Sequence, residues 1–334
     1  MNKKDVIVIG DGIAAWSLIH QVIEKTSFEV TQFVGDDYFR PCSLNSTSIN
    51  CLRGTTRGIS KLGDLICDSY DEFLAFNAKY RPQGVEKGLE VQFWNEHQKY
   101  INRYPNYKNV LNSKYEALVS YEYFFENEAY FLNPEKLKDW FVKSFSQKVE
   151  RIPKLALKVE SNNVITSDQI YSAKYIFVCT NGKSKSLLSG INKEYDYYIN
   201  HSKPVSGSYL EAENFSLGHQ KNPINFAFDK IHLIQRSMDN ILQIGSTSDN
   251  RSQIELANEK ELIKIYDQVK MSYKGELPSF ESFKFKVGNR FKGYKRLPFW
   301  GKVDQNTFAI NGLYKNAFSF SFLAAKDLLN YLKN

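Results

Sequence analysis

The sequence predicts an α/β protein: a parallel sheet covered by helices, joined to a second, mixed or antiparallel sheet. Three observations carry that reading. An apolar run, Val6 to Ile9, opens the chain and leads straight into a glycine turn. A second strand-like segment, Phe28 to Val34, follows at the distance a βαβ unit requires. Far downstream a further apolar run, Tyr175 to Cys179, offers another central strand, whereas the segments from Lys203 to Asn250 read as antiparallel strands.

The turn itself has the Rossmann-like form. Gly10, Gly12 and Ala15 give G-x-G-x-x-A: the first makes the tight turn, the second admits a pyrophosphate, and the third is small enough for helix to pack on strand. The predicted helix, Ile13 to about Lys25, aims the N–H groups of Ile13, Ala14 and Ala15 and the positive end of its dipole at the phosphates. A βα turn that holds no phosphate is the plainer alternative. The acidic residue expected after the second strand falls at Val34; Asp36 and Asp37 come slightly later and are candidate ribose contacts. Asp11 sets a carboxylate between the glycines, unfavourable for a phosphate unless its side chain points to solvent.

The next stretch, "RPCSLNSTSINCLRGTT", is rich in small polar residues. Ser43, Asn45 and Ser46 suit a loop lying along a cofactor, or an ordinary surface loop, and an amphipathic helix follows from about Leu62. The segment "KLALKVESNNVITSDQIYSAKYIFVCTNG" reads as short strands that end in the Tyr175–Cys179 run, with Thr180 and Gly182 in the turn after it. "KPVSGSYLEA" and "IHLIQRSMDNILQIGSTSDN" are read as strands of the separate sheet, with a turn at Asp239-Asn240. Finally Gly312 ends a strand, and a helix runs from about Ser319 to Leu332, with Asn316, Ala317 and Phe318 at its entrance.

Composition bounds the rest. With 334 residues and 42% hydrophobic content, two packed lobes fit and global disorder does not. The 24 Phe and 21 Tyr suit a ring-lined cavity or a compositional habit. A net charge of +7 favours anionic partners without singling out nucleic acid, and no run is dense enough for a basic tail; "RFKGYKRLPFWGK" comes nearest. Four cysteines without C-x-x-C spacing and five scattered histidines give no metal site. No apolar run has the form of a signal peptide or membrane span, so a cytoplasmic chain with reduced thiols is expected, and no membrane partner. Nothing sets an oligomeric state.

In order along the chain, the glycine turn, "FLNPEKL" (Phe131 to Leu137), the "PVSG" turn, the "IGST" strand, the run Gly288-Asn289-Arg290 with Pro298 and Gly301, and the last glycine-then-helix element resemble the D-amino-acid oxidase and glycine oxidase superfamily of FAD enzymes. The resemblance covers nearly the whole chain and implies non-covalent FAD. It further implies an interleaved architecture: an FAD lobe from residues 1–80, 134–199 and 287–334, and a substrate lobe from 81–133 and 200–286. Within that superfamily "VTQFVGDD" and "FSFLAAKDLL" look similar to the flavin domain of the bifunctional enzyme that matures the tRNA wobble uridine, which also tends to lack the acid after the second strand. This chain departs from it in having no methyltransferase half, and Tyr314 and Ala317 stand where small glycines are usual.

The chemistry implied is oxidation of a C–N bond in an amino acid, N-substituted glycine or related small amine, by hydride transfer to the flavin. Such a substrate needs a carboxylate anchor, and Arg290 matches the position that serves in glycine oxidase; a planar guanidinium fork fits two oxygens. Lys315 matches a second basic anchor or an exposed lysine, Tyr314, Tyr209, His201 and His232 suit the pocket lining or plain core packing, and backbone from Asn316 to Ser319 would face the reduced flavin's anionic edge. Some secondary-amine oxidases of the superfamily carry an oxygen-activating lysine near the glycine of the "IGST"-like strand; here the position is Gln243, so oxidase and dehydrogenase both stay open. Two alternatives stand beside this reading: a tRNA-modifying oxidase of the same chemistry, and a flavoprotein subunit or scaffold without activity.

Overall fold

Two sheets organise the chain. This computed structural model describes residues 3–35, 41–95, 104, 106–217, 222–249 and 257–332. It begins with β1 (Lys4–Ile9), α1 (Ile13–Lys25) and β2 (Val30–Phe33), then β3 (Ile49–Asn50), α2 (Lys61–Tyr80), β4 (Val85–Trp94), β5 (Lys108–Asn109) and β6 (Tyr123–Leu132). There follow α3 (Pro134–Phe145), β7 (Val149–Ile152), a hairpin of β8 (Lys158–Glu160) and β9 (Asn163–Ile165), and β10 (Ile170–Val178). Short helices α4 (Ser184–Leu188) and α5 (Lys193–His201) precede β11 (Lys203–Glu213), β12 (Ile224–Phe228), β13 (Ile231–Arg236) and β14 (Ile241–Gly245). The chain closes with α6 (Glu259–Ser272), β15 (Lys284–Lys292), β16 (Phe299–Lys302), β17 (Thr307–Asn311) and α7 (Ala317–Leu329).

The first sheet runs β16-β17-β10-β1-β2-β7, parallel except for its edge strand β16. Its central strands are apolar on both faces because both are covered. Val6 and Val8 pack with Ala15, Leu18, Phe141, Ala324 and Ala325 under α1, α3 and α7, while Ile7 and Ile9 pack on the other face with Leu187, Leu188 and Ile199. The chain returns to this sheet twice: after α3 as β7, leading through β8 and β9 to β10, and after β15 as β16 and β17, which α7 follows.

The second sheet runs β15-β11-β14-β13-β12-β4-β6-β3 and has two unlike faces. Strand alternation places Leu210, Phe226, Leu233, Ile244 and Val91 on one face, where they bury against Leu262 and Val269 of α6. Each such side chain contributes about 1.5–3 kcal/mol by leaving water. The opposite face carries Glu211, Gln243, Asn225 and Glu90 in one row, all buried. On this inner face Ile49 of β3 and Cys51 pack with Ala129, Phe131 and Ile234, while Arg53 in the segment that follows binds Glu90 (3.1 Å).

The sequence reading located β1, α1, β2, α2, β10, β11, β13, β14 and β17, with α1 ending at Lys25 as expected and the last helix beginning at Ala317, two residues before the expected Ser319. "KPVSGSYLEA" is the strand it was read as, within β11; its "PVSG" part forms no turn, since the ladder to β15 is continuous from Lys203 to Glu211.

Candidate functional site

The glycine turn has the geometry its sequence requires. Gly10 sits at φ +132°, its N–H donates to the Phe33 carbonyl (2.9 Å), and a Cβ there would lie 2.6 Å from the Cys179 carbonyl oxygen. Gly12 is the N-cap of α1, which has no side-chain cap and no acid in its first turn. Ser43, in a short crossing turn at Cys42–Leu44, accepts the Ile13 N–H (3.1 Å), and its Oγ would be 3.2 Å from a Cβ at Gly12. Ala14 and Ala15 follow, both buried. The positive end of a thirteen-residue helix is therefore bordered by small residues and a hydroxyl, a setting suited to an anion.

Asp11 corrects the expectation about its side chain. It does not reach solvent; it is buried, with Oδ1 accepting from Trp16 Nε1 (3.0 Å), Gln32 Nε2 (3.2 Å) and Arg151 Nη2 (2.8 Å), and Oδ2 2.7 Å from Lys138 Nζ. Two cations neutralise it, which removes its repulsion towards a phosphate at the turn. Val34 follows β2 and donates its N–H to the Ile152 carbonyl (3.1 Å). Asp36 and Asp37 lie outside the described residues.

The remaining cofactor candidates gather on three segments. Ser46 Oγ pairs with Ser48 Oγ (2.9 Å), and the Asn45 carbonyl lies against Gly288 of β15, where no Cβ would fit. Thr180 Oγ1 pairs with Ser184 Oγ (3.0 Å), while Gly182 faces the Phe291 ring. Gly312 has φ +69° and packs against the Tyr198 hydroxyl. Asn316 is the N-cap of α7, without a side-chain cap, and the first turn, Ala317 and the buried Phe318 onward, carries no acid.

On the inner face of the second sheet, Arg290 stands opposite Val205. Its Nη2 donates to the Thr247 carbonyl (3.1 Å), and its Cζ lies 5.6 Å from the Tyr314 ring centroid; Lys315 Nζ is 5.7 Å from the same ring. Burial pushes the Tyr314 phenol up, but a bond to Ser248 and the cations Lys315, Arg290 and Lys292 outweigh it and hold the phenol below its ordinary range. Loss of hydration and repulsion by Arg290, Arg53 and Arg296 lower the Lys315 ammonium, against the pull of Tyr314. Arg290, Tyr314 and Lys315 thus come together. Gln243 does not join them: it is buried, donates to Glu211 (2.9 Å), and lies six residues along β11 from the Arg290 row, roughly 20 Å.

His232 faces the same side, and burial, then Arg53 and Lys315, hold it well below the usual imidazole range, hence neutral. It pairs through Nδ1 with Asn225 (3.1 Å), which donates to Glu90 (2.6 Å), which in turn binds Arg53 Nε (3.1 Å). His201 is elsewhere, exposed on α5 beside Tyr197 and Tyr294. Sequence reading missed Arg53, Glu90, Asn225, Lys138 and Arg151, and it missed the paired glycines Gly207 and Gly288. Among described residues, no cluster of metal-ligating side chains occurs.

No family model matches the chain, and no curated protein matches it in sequence. Solved structures do match in fold. Glycine oxidase from Bacillus cereus ATCC 14579 superposes with a TM-score of 0.79 at 15% identity, over 99% of this chain and 95% of that one. Iminodiacetate oxidase from Chelativorans sp. BNC1 gives 0.77 at 11%, over 98% and 95%. L-alpha-glycerophosphate oxidase from Mycoplasma pneumoniae, with FAD bound, gives 0.78 at 10%, over 100% and 96%. The fold is that of these three oxidases, the last of which holds FAD.

Proposed function

We propose that this chain is an FAD-dependent oxidoreductase that oxidises a C–N bond of an amino acid, N-substituted glycine or related amine. One observation carries the reading: the Arg290 guanidinium is held by Thr247 against the Tyr314 ring, with no ion-pair partner among the described residues. The names of the neighbouring structures, glycine oxidase and iminodiacetate oxidase, support the substrate class.

The residues fit a non-covalent FAD. A Cβ at Gly10 or Gly12 would meet backbone or Ser43, and neither α1 nor α7 has a side-chain cap or a first-turn acid. Gly10, Gly12 and the N–H groups of Ala14 and Ala15 would hold the pyrophosphate, with Ser43, which takes the Ile13 N–H, and Asn45, Ser46, Thr180, Gly182 and Gly312 along the cofactor. FAD, when bound, supplies the acceptor for the two electrons and the hydrogen that leave the carbon beside the nitrogen. Arg290 binds the substrate carboxylate through its fork and so fixes which carbon is presented. The positive charges of Arg290 and Lys315 disfavour the ammonium form of the amine, leaving a lone pair to close the C=N bond. Water then converts the imine to a carbonyl compound and a free amine. The entrance of α7, at Asn316 to Phe318, would offer the positive end of a helix dipole, with no acid in its first turn, to the negative charge that the reduced flavin carries.

We further propose the lobe division 1–80, 134–199 and 287–334 against 81–133 and 200–286. The four unpaired cysteines favour a reducing compartment such as the cytoplasm, and no described helix is long and apolar enough to cross a membrane. A second reading puts the same chemistry on an amine carried by tRNA; exposed Lys295 and Arg296 favour it, and salt-dependent retention of tRNA tests it.

The anchor is tested by Arg290→Ala. The expected result is a KM for a carboxylate substrate raised by ~10² or more, the scale of a lost charged hydrogen bond. An unchanged KM removes the anchor assignment.

A further inference from the structure

We infer that the substrate carries two acidic groups, one bound by Arg290 and the other by Lys315, so that a diacidic amine and not a simple monocarboxylate is preferred. The inference rests on the amine-oxidation reading above and narrows its substrate class.

The geometry of the cations is the starting point. The Arg290 guanidinium and the Lys315 ammonium flank one ring, that of Tyr314, so their charges stand no more than about 11 Å apart and repel. Folding two cations against one ring without an acid between them is unfavourable, and proteins ordinarily pair such charges. Here the acids of the inner face are engaged elsewhere. Glu90 binds Arg53, and Glu211 binds Lys286 (3.4 Å) and Gln243. Asp249 meets Ser206 through its backbone. Among the described residues, Arg290, Lys315, Lys292 and Arg296 have no ion-pair partner at all.

A monocarboxylate bound at Arg290 would leave the Lys315 charge uncompensated. A second carboxylate, phosphonate or phosphate on the same molecule would satisfy both, and the two anchors lie within reach of a short chain. The further positive field of Arg53 and Arg296, which Lys315 feels, strengthens the preference for a doubly charged ligand. The Tyr314 ring lies against both cations, and its hydroxyl is tied to Ser248 (3.5 Å).

The test separates this inference from the reaction it rests on. Calorimetry on the purified protein, at fixed ionic strength, measures the affinities of the inert probes acetate, malonate and succinate. The better diacid is expected to bind ~10-fold or more tightly than acetate, the gain of one further charged contact. Lys315→Gln is expected to cut that ratio by a similar factor, with Lys315→Arg restoring it, whereas Arg290→Gln weakens all three probes. A diacid-to-acetate ratio near one in the unaltered protein, or a ratio untouched by Lys315→Gln, overturns the inference. In parallel, the flavin is titrated anaerobically with N-methylglycine and with iminodiacetate. Reduction by N-methylglycine with no diacid preference in binding sinks this proposal and leaves amine oxidation standing. Diacid-selective binding with no reduction by either amine does the reverse.

Discussion

The Arg290 guanidinium occupies the space that a side chain at Gly207 would need. Gly207 stands on β11 directly opposite Gly288 on β15, two residues before Arg290, and a Cβ at Gly288 would in turn overlap the Asn45 carbonyl. The two glycines let a long arginine fold back over its own sheet while the crossing turn closes from above. Replacing Gly207 by Ala should therefore displace the anchor without touching it. The expected outcome is a folded, flavin-binding protein whose KM for a carboxylate substrate rises by ~10-fold or more, less than for Arg290→Ala. Steady-state kinetics with a flavin-to-protein ratio check it; an unaltered KM argues that the guanidinium is not the anchor.

Gly10 should be intolerant of any side chain. Its φ of +132° and the Cys179 carbonyl, 2.6 Å from where a Cβ would stand, make Gly10→Ala strained in backbone and in contact alike. A loss of about 2–4 kcal/mol is expected, together with weaker flavin retention. Urea unfolding and the flavin content after gel filtration measure the two effects separately.

His20 should make stability pH-dependent. It is buried on α1 among Phe76, Tyr80, Trp140 and Phe141, its Nδ1 has no hydrogen-bond partner, and burial, more than the opposing Glu24 or the repelling Lys79, lowers its pKa to about 4. The unfolded chain takes up this proton near the ordinary 6.5. Between those values the unfolded state binds more protons, so stability falls as pH drops, by about 1.4 kcal/mol per unit and about 3 kcal/mol in all. Above the ordinary value the term is absent. His20→Phe, which keeps a ring in the cage, should flatten that part of the profile; denaturation midpoints at pH 7.5 and 5 for both proteins decide it.

Asp11→Ala should cost about 1–3 kcal/mol, since it strands Lys138 and Arg151, each about a quarter exposed, beside the buried turn. Adding Arg151→Ala to that variant should recover part of the loss. A double-mutant cycle by thermal unfolding gives the coupling, and additive losses would show that the pair contributes nothing.

What the sequence made legible was whatever local pattern determines. The β1–glycine–α1 unit could be read because strand burial, tight turn and helix entry all lie within Lys4 to Lys25. Arg290 could be proposed because its segment resembles a known anchor. The surroundings could not. Asp11 looked like a misplaced charge because its partner Arg151 lies 140 residues away and Lys138 on another helix. Arg53, Glu90, Asn225 and His232 come from four separate segments and meet only when the second sheet forms. Gln243 shares a face with Arg290, but strand length alone separates them, and only the β11 register reveals it. "KPVSGSYLEA" was legible as a strand, but that its "PVSG" part makes no turn was not: Pro204 is the second residue of β11, and Gly207 makes room for Arg290.

The central claim is most directly tested by anaerobic titration of the FAD-loaded protein with N-methylglycine and iminodiacetate, following the visible flavin band. The account predicts bleaching by at least one of these amines, with an apparent substrate affinity weakened by ~10² in Arg290→Ala. A protein that takes up no FAD, or whose flavin bleaches with dithionite but with no amine, contradicts it and leaves the fold as a binding subunit or scaffold.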